Sequence, residues 1–227
     1  MRPVLVALLL TVELAAAVVA AAVWLDTPAP PSSGRAARGA LVLRDDVSPF
    51  EELGSELFTR GTFVGVYAEV VYLTRHDGAP SETDVLAALD ALAARRGAVD
   101  VYLLQHGHRW RLRRVLEATL PLGLVYSTGC GDLVEVTTAG SATALVGHTG
   151  ARSMSPLFYV YFARALRRGA SVEAATDLAN TRYAALARAV ERVLGKSRFY
   201  APITIAHTHA TVVGEGAFAP LGSAAPP

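Results

Sequence analysis

Cysteine is almost absent: the chain of 227 residues holds one, Cys130. An intramolecular disulfide is therefore excluded, and so is a zinc cluster built from cysteines. A lone thiol is either buried filler or a reactive group. Lysine is equally scarce, since Lys196 stands alone beside 20 arginines, a compositional bias without chemical consequence for function. Net charge is also small. The 21 basic and 20 acidic residues leave +1, so the chain lacks the bulk positive field that nucleic-acid binding draws on, and no nucleic-acid partner is expected. With 52% hydrophobic and only 18% charged residues, the composition also excludes a disordered chain. No internal repeat is visible.

One long apolar run is present, and it lies at the N-terminus. From Val4 to Leu25 it covers 22 residues broken only by Thr11 and Glu13, which as helix would span roughly 33 Å and cross a bilayer. Arg2 precedes it and D-T-P-A-P-P-S-S-G follows, a charge bias that keeps the N-terminus inside and sends the rest of the chain out of the cytoplasm. Residues 1–25 are thus read as a membrane anchor or a signal peptide. The Ala20-Ala21-Ala22 stretch suits cleavage, whereas the length of the run exceeds the usual signal core of about 7 to 15 residues. Residues 26–40, with closely spaced Pro, Ser and Gly, read as a flexible linker. Residues 41–227 form the folded domain, extracytoplasmic and either anchored or secreted.

Within the domain, apolar runs alternate with helical patterns. From Gly61, T-F-V-G-V-Y-A-E-V-V-Y-L-T is β-branched and aromatic enough for one strand or a bent pair. Ser81 with Asp84 is a capping-box-like start, and Val85, Leu86, Leu89 and Leu92 continue at helical spacing to Arg96, where Gly97 stops the helix. V-D-V-Y-L-L-Q is the continuous apolar run of a central parallel strand, and it ends in His106-Gly107. R-W-R-L-R-R-V-L-E-A-T-L is long enough for the crossover helix, with its arginines on a solvated face. L-G-L-V-Y-S-T gives a second central strand, ending in Gly129-Cys130-Gly131. S-A-T-A-L-V-G-H-T-G reads as a third strand and turn. Helices over Met154–Arg168 and from Ser171 to Leu194 follow, the latter with Val172, Ala175, Leu178 and Tyr183 facing inward, before a last strand, I-T-I-A-H-T-H-A-T-V-V. This order predicts an α/β sandwich with a mostly parallel sheet.

His106 ends one central strand and Cys130 ends the next. Strands joined by a crossover usually lie side by side, and ligands sit beyond the carboxyl ends of such sheets, so imidazole and thiol are expected on one rim. A free thiol with pKa about 8.5 is only a few per cent ionised at neutral pH; a neighbouring imidazole favours the thiolate and can protonate a leaving amine. Backbone N–H groups of Gly107 and Cys130 are the candidates for holding an oxyanion.

The two motifs, L-L-Q-H-G-H and V-Y-S-T-G-C-G-D, resemble those of the caspase-like (clan CD) cysteine peptidases. The similarity is greatest to the bacterial gingipain-like and CHAT-type branches, and it covers roughly residues 61 to 216. It is supported by T-A-G-S-A-T-A-L-V-G, by R-A-L-R-R-G-A-S-V-E-A-A and by the final V-V-G-E-G. The resemblance implies a three-layer caspase-like sandwich, a His106/Cys130 catalytic dyad, an oxyanion hole from Gly107 and Cys130, a protein or peptide substrate, and no cofactor. Where metacaspases carry an acidic group two residues ahead of the cysteine, this chain has Thr128; Asp132 is the candidate substitute for binding a basic substrate side chain.

Two other readings compete. His106, His108, His148, His207 and His209 include two H-x-H pairs, and zinc hydrolases use such ligands, although no H-E-x-x-H accompanies them. His207 and His209 are expected in mid-strand. The third reading is a catalytically inactive caspase-like module, tethered at the membrane and used for protein contact.

Overall fold

A computed structural model describes residues 38–45, 67–74, 80–105, 109–129, 131–134, 136–150, 156–194 and 209–221. Six strands are present among them: β1 (Arg38–Asp45), β2 (Glu69–Thr74), β3 (Ala98–Gln105), β4 (Leu122–Ser127), β5 (Ala142–Gly147) and β6 (Thr211–Gly214). Four helices accompany them: α1 (Glu82–Arg96), α2 (Arg109–Glu117), α3 (Pro156–Arg167) and α4 (Val172–Leu194). The strands form one sheet in the order β2-β1-β3-β4-β5-β6. Every pair is parallel except β5 with β6. The fold is thus α/β with a mostly parallel sheet, and the last strand runs opposite to the others.

Alternation along the central strands sends side chains to both faces. Ala40 and Val42 of β1 join Tyr102 and Leu104 of β3 in one core, with Phe158 and Phe162 of α3 and Val172, Ala175 and Ala179 of α4. Leu41, Leu43, Val101 and Leu103 point the other way, onto Val85, Leu89 and Leu92 of α1 and Leu112, Val115 and Leu116 of α2. Both faces being covered is why these strands read as unbroken apolar runs. The start of α1 is the expected capping box, with Ser81 Oγ accepting from Asp84 N and Asp84 accepting from Ser81 N; Gly97 ends the helix by donating to the Ala93 carbonyl.

Several expectations are corrected. β1 begins at Arg38, inside the stretch read as linker, and takes a place between β2 and β3. In α2, Arg113 and Arg114 face solvent, but Arg111 is buried and donates to the Pro80 carbonyl. Leu178 of α4 is exposed, and Thr176 takes the inward place instead. β6 begins at Thr211, so His209, expected in mid-strand, precedes it and is exposed. The N-terminal apolar segment, His207 and residues 61–66 lie outside the described residues. Among those described, no helix is long and apolar enough to cross a membrane.

β4 carries a bulge that fixes its register. Val99 pairs with Leu122 and Val101 with Val125, so β4 spends one more residue than β3 over the same interval. The N–H of Leu124 turns to Asp100 Oδ1 at 2.8 Å. Asp100 is fully buried and also accepts from the Arg38 guanidinium and from Tyr67 Oη at 2.9 Å, while Tyr67 and Tyr102 share a hydrogen bond of 2.7 Å. Burial first, then the Asp100 charge, hold both phenols above their ordinary range. Gly123 is required here, because a Cβ would overlap the Arg38–Asp100 pair.

Candidate functional site

β3 and β4 are parallel neighbours, with Tyr102 opposite Tyr126 and Leu103 opposite Ser127. Their carboxyl ends therefore share one edge of the sheet. His106 and Gly107 follow Gln105 at the end of β3, and Cys130 follows Gly129 beyond β4; these three expected site residues, with His108, lie outside the described residues.

What is described around them is a buried polar turn. Thr128 donates its N–H to the Leu103 carbonyl at 3.0 Å, and its hydroxyl accepts from the Gln105 N–H at 3.0 Å. The same hydroxyl lies 3.2 Å from the Gln105 carbonyl and 3.3 Å from that of Leu103, to one of which it donates. One side chain thus ties the last residue of β3 to the segment leaving β4. Farther along, Asp132 N donates to the Gly129 carbonyl at 3.4 Å and Val134 N to that of Gly131 at 3.0 Å. The chain folds back here, with Gly131 at φ 64°.

Asp132 is 2% exposed. Its Oδ2 accepts from the hydroxyl of Ser127, which in turn accepts from Gly129 N at 3.4 Å. Its Oδ1 has no hydrogen-bond partner among the described residues. The carboxylate rests on Gly129, where a Cβ would overlap it, so only glycine lets the turn close this tightly. The candidate substrate-binding residue therefore faces inward, with one oxygen engaged by Ser127.

His148 completes the edge, just after β5; the sequence marks it as a candidate metal ligand and not as a partner of the dyad. It is fully buried. Its carbonyl accepts from Leu133 N at 3.1 Å, and its Nε2 lies 3.4 Å from the Thr128 carbonyl. A carbonyl can only accept, so Nε2 carries the proton in that contact and Nδ1, which has no partner among the described residues, is left as an acceptor. Burial holds the imidazole below its usual pKa, opposed by the Thr128 carbonyl and the Asp132 charge. A signal was present in the sequence: L-V-G-H ends a parallel strand in histidine just as L-L-Q-H does.

The histidine pairs are not assembled by what is described. Exposed His209 has Nε2 3.4 Å from Asn180 Nδ2, and its neighbour Ala210 is held at both N–H and carbonyl by the Asn180 amide. Among the described residues, no three His, Cys, Asp or Glu side chains gather closely enough to hold a metal ion. Comparison of the chain with protein-family models and with curated proteins finds no match.

Proposed function

We propose that the chain is a cysteine peptidase with a three-layer caspase-like sandwich, held at or exported across a membrane by its first 25 residues and acting outside the cytoplasm. The observation that carries the reading is the parallel pairing of β3 and β4, whose shared carboxyl edge leads directly into His106 on one strand and into Cys130 on the next. Helices on both faces of a mostly parallel sheet agree with it.

In this reading the Cys130 thiolate attacks a peptide carbonyl, and the amides of Gly107 and Cys130 receive the oxyanion. Removing one such donor typically costs about 2.7–4 kcal/mol of barrier. His106 delivers a proton to the departing amine as the C–N bond breaks, leaving a thioester. Water, deprotonated by His106, then hydrolyses the thioester and restores the thiol. No cofactor takes part. Asp132, the candidate for a basic substrate side chain, has its Oδ1 buried and without a hydrogen-bond partner among the described residues, so such a contact would require the turn to open.

The test is a peptide library incubated with the full chain beside Cys130→Ser. Cleavage by the first and not the second is expected; equal cleavage, or none, removes the peptidase reading. Iodoacetamide supplies a measurement that needs no substrate: Cys130 should react faster near neutral pH than a model thiol, and a rate no faster leaves activation by His106 without support.

A further inference from the structure

Thr128 occupies the place where an acidic substrate selector stands in metacaspases, yet its side chain is turned into the fold. Its hydroxyl accepts the Gln105 N–H and lies against the Leu103 and Gln105 carbonyls, and it is only 8% exposed. We infer that Thr128 is a positioning residue, a cross-strand staple that sets where the chain leaves β3 for His106 relative to where it leaves β4 for Cys130. The inference rests on the peptidase reading above and deepens it.

The geometry calls for a hydroxyl at this position, since the same oxygen accepts from an N–H and donates to a carbonyl. Gln105 ends the strand and donates its N–H to the Thr128 hydroxyl; Thr128 is itself fixed at its own N–H by Leu103 and approached at its carbonyl by His148. The segment is thereby tied to the ends of two strands, β3 and β5. A shift of about 1 Å between two reacting groups can cost on the order of a hundredfold in rate, so a contact that ties together the strand ends leading into them has leverage on the chemistry without touching substrate.

The experiment measures the rate of alkylation of Cys130 in the full chain by iodoacetamide across pH 5 to 9, for wild type, Thr128→Val, Thr128→Ser and His106→Ala. A thiol poised by imidazole is largely ionised at pH 7, whereas one at about 8.5 is about 3% ionised. Thr128→Val should therefore lower the rate at pH 7 by about tenfold and move the profile toward that of His106→Ala, while Thr128→Ser restores it. A residue that merely stabilises the fold would lower the melting temperature and leave the profile of the folded protein in place. Profiles are taken below the melting transition of every variant, and Thr128→Ala, which cannot overpack, replaces the valine variant if that fails to fold. A wild-type profile in the hydroxyl-less variant, with His106→Ala shifted, overturns the inference and spares the peptidase reading. So does a Thr128→Ser profile matching that of the valine variant. An unshifted profile in His106→Ala removes the dyad and the inference together.

Discussion

Replacing Asp100 by Asn should destabilise the domain by about 3–4 kcal/mol. The carboxylate is fully buried, and its four donors are the two Arg38 nitrogens, Tyr67 Oη and Leu124 N. Removing one member of a buried ion pair costs about 3–5 kcal/mol, since the remaining charge stays uncompensated. Arg38 keeps 18% of its side chain exposed, so part of that cost is recovered by water and the lower half of the range applies. An amide of the same shape also has only one acceptor oxygen, leaving one guanidinium N–H, together with either the Leu124 N–H or the Tyr67 hydroxyl, opposite an NH2 group, at about 1–3 kcal/mol for an orphaned buried donor. The two costs overlap rather than add. For a domain of this size, each kcal/mol moves Tm by about 2–4 °C, so a fall of roughly 6–16 °C is expected. Urea unfolding followed by circular dichroism should show a lower midpoint at unchanged slope. Arg38→Met combined with Asp100→Asn should cost less than the sum of the two, with a coupling of about 1–3 kcal/mol. A loss below about 1 kcal/mol for Asp100→Asn, or strict additivity, would refute the claim that this network pins the β4 bulge.

Three further outcomes follow from the site and its supporting core. Because burial holds His148 below its unfolded value of about 6.5, the unfolded chain takes up that proton first as pH falls. Its contribution is therefore intact above pH 6.5 and lost below it, with a slope of at most about 1.4 kcal/mol per pH unit until the folded imidazole itself titrates. His148→Gln should remove that slope, and equal slopes in urea titrations from pH 5 to 7.5 would count against it. Phe162→Ala should cost about 3–5 kcal/mol, because the ring is fully buried and stacked on Tyr126 at 5.1 Å between centroids; a chemical-denaturation loss under 1.5 kcal/mol would show that this core face is loosely packed. Treatment with a metal chelator should leave peptide cleavage unchanged, and abolition of activity would transfer the chemistry to the histidine pairs.

The parts of the fold that local chemistry dictates were legible. Ser81, Asp84 and Gly97 announce both ends of α1 because capping groups act on their own backbone within a turn. The neighbouring of β3 and β4 follows from the crossover between them. β1 was not legible: R-G-A-L-V-L-R-D holds only four consecutive apolar residues between arginines, and it follows a stretch rich in Pro, Gly and Arg. Its place in the sheet is set by long-range pairing with β3, and the burial of Arg44 within it has no local signal. The direction of β6 was hidden for the same reason. Leu178 fits the inward helical spacing of α4, yet Thr176 takes the inward place because its hydroxyl turns back onto the Val172 carbonyl at 2.8 Å and so needs no other partner.

Among the described residues, two buried carboxylates, Asp100 and Asp132, lie at opposite ends of the sheet. Asp100 lies toward the amino ends of the strands with both oxygens engaged, Oδ1 by Arg38 and Leu124, Oδ2 by Arg38 and Tyr67. Every lone pair that matters there is spent inside the fold, which is what a structural network requires. Asp132 lies at the carboxyl edge with Oδ1 unengaged, beside a His148 whose Nδ1 is unengaged too, among the described residues. Leaving two such valences open costs stability, and that cost falls at the edge of the sheet from which β4 runs on toward Cys130 in the sequence. The saturated network at one end of the sheet holds strand register, and the two open acceptors at the other are what the proposed peptidase chemistry would draw on.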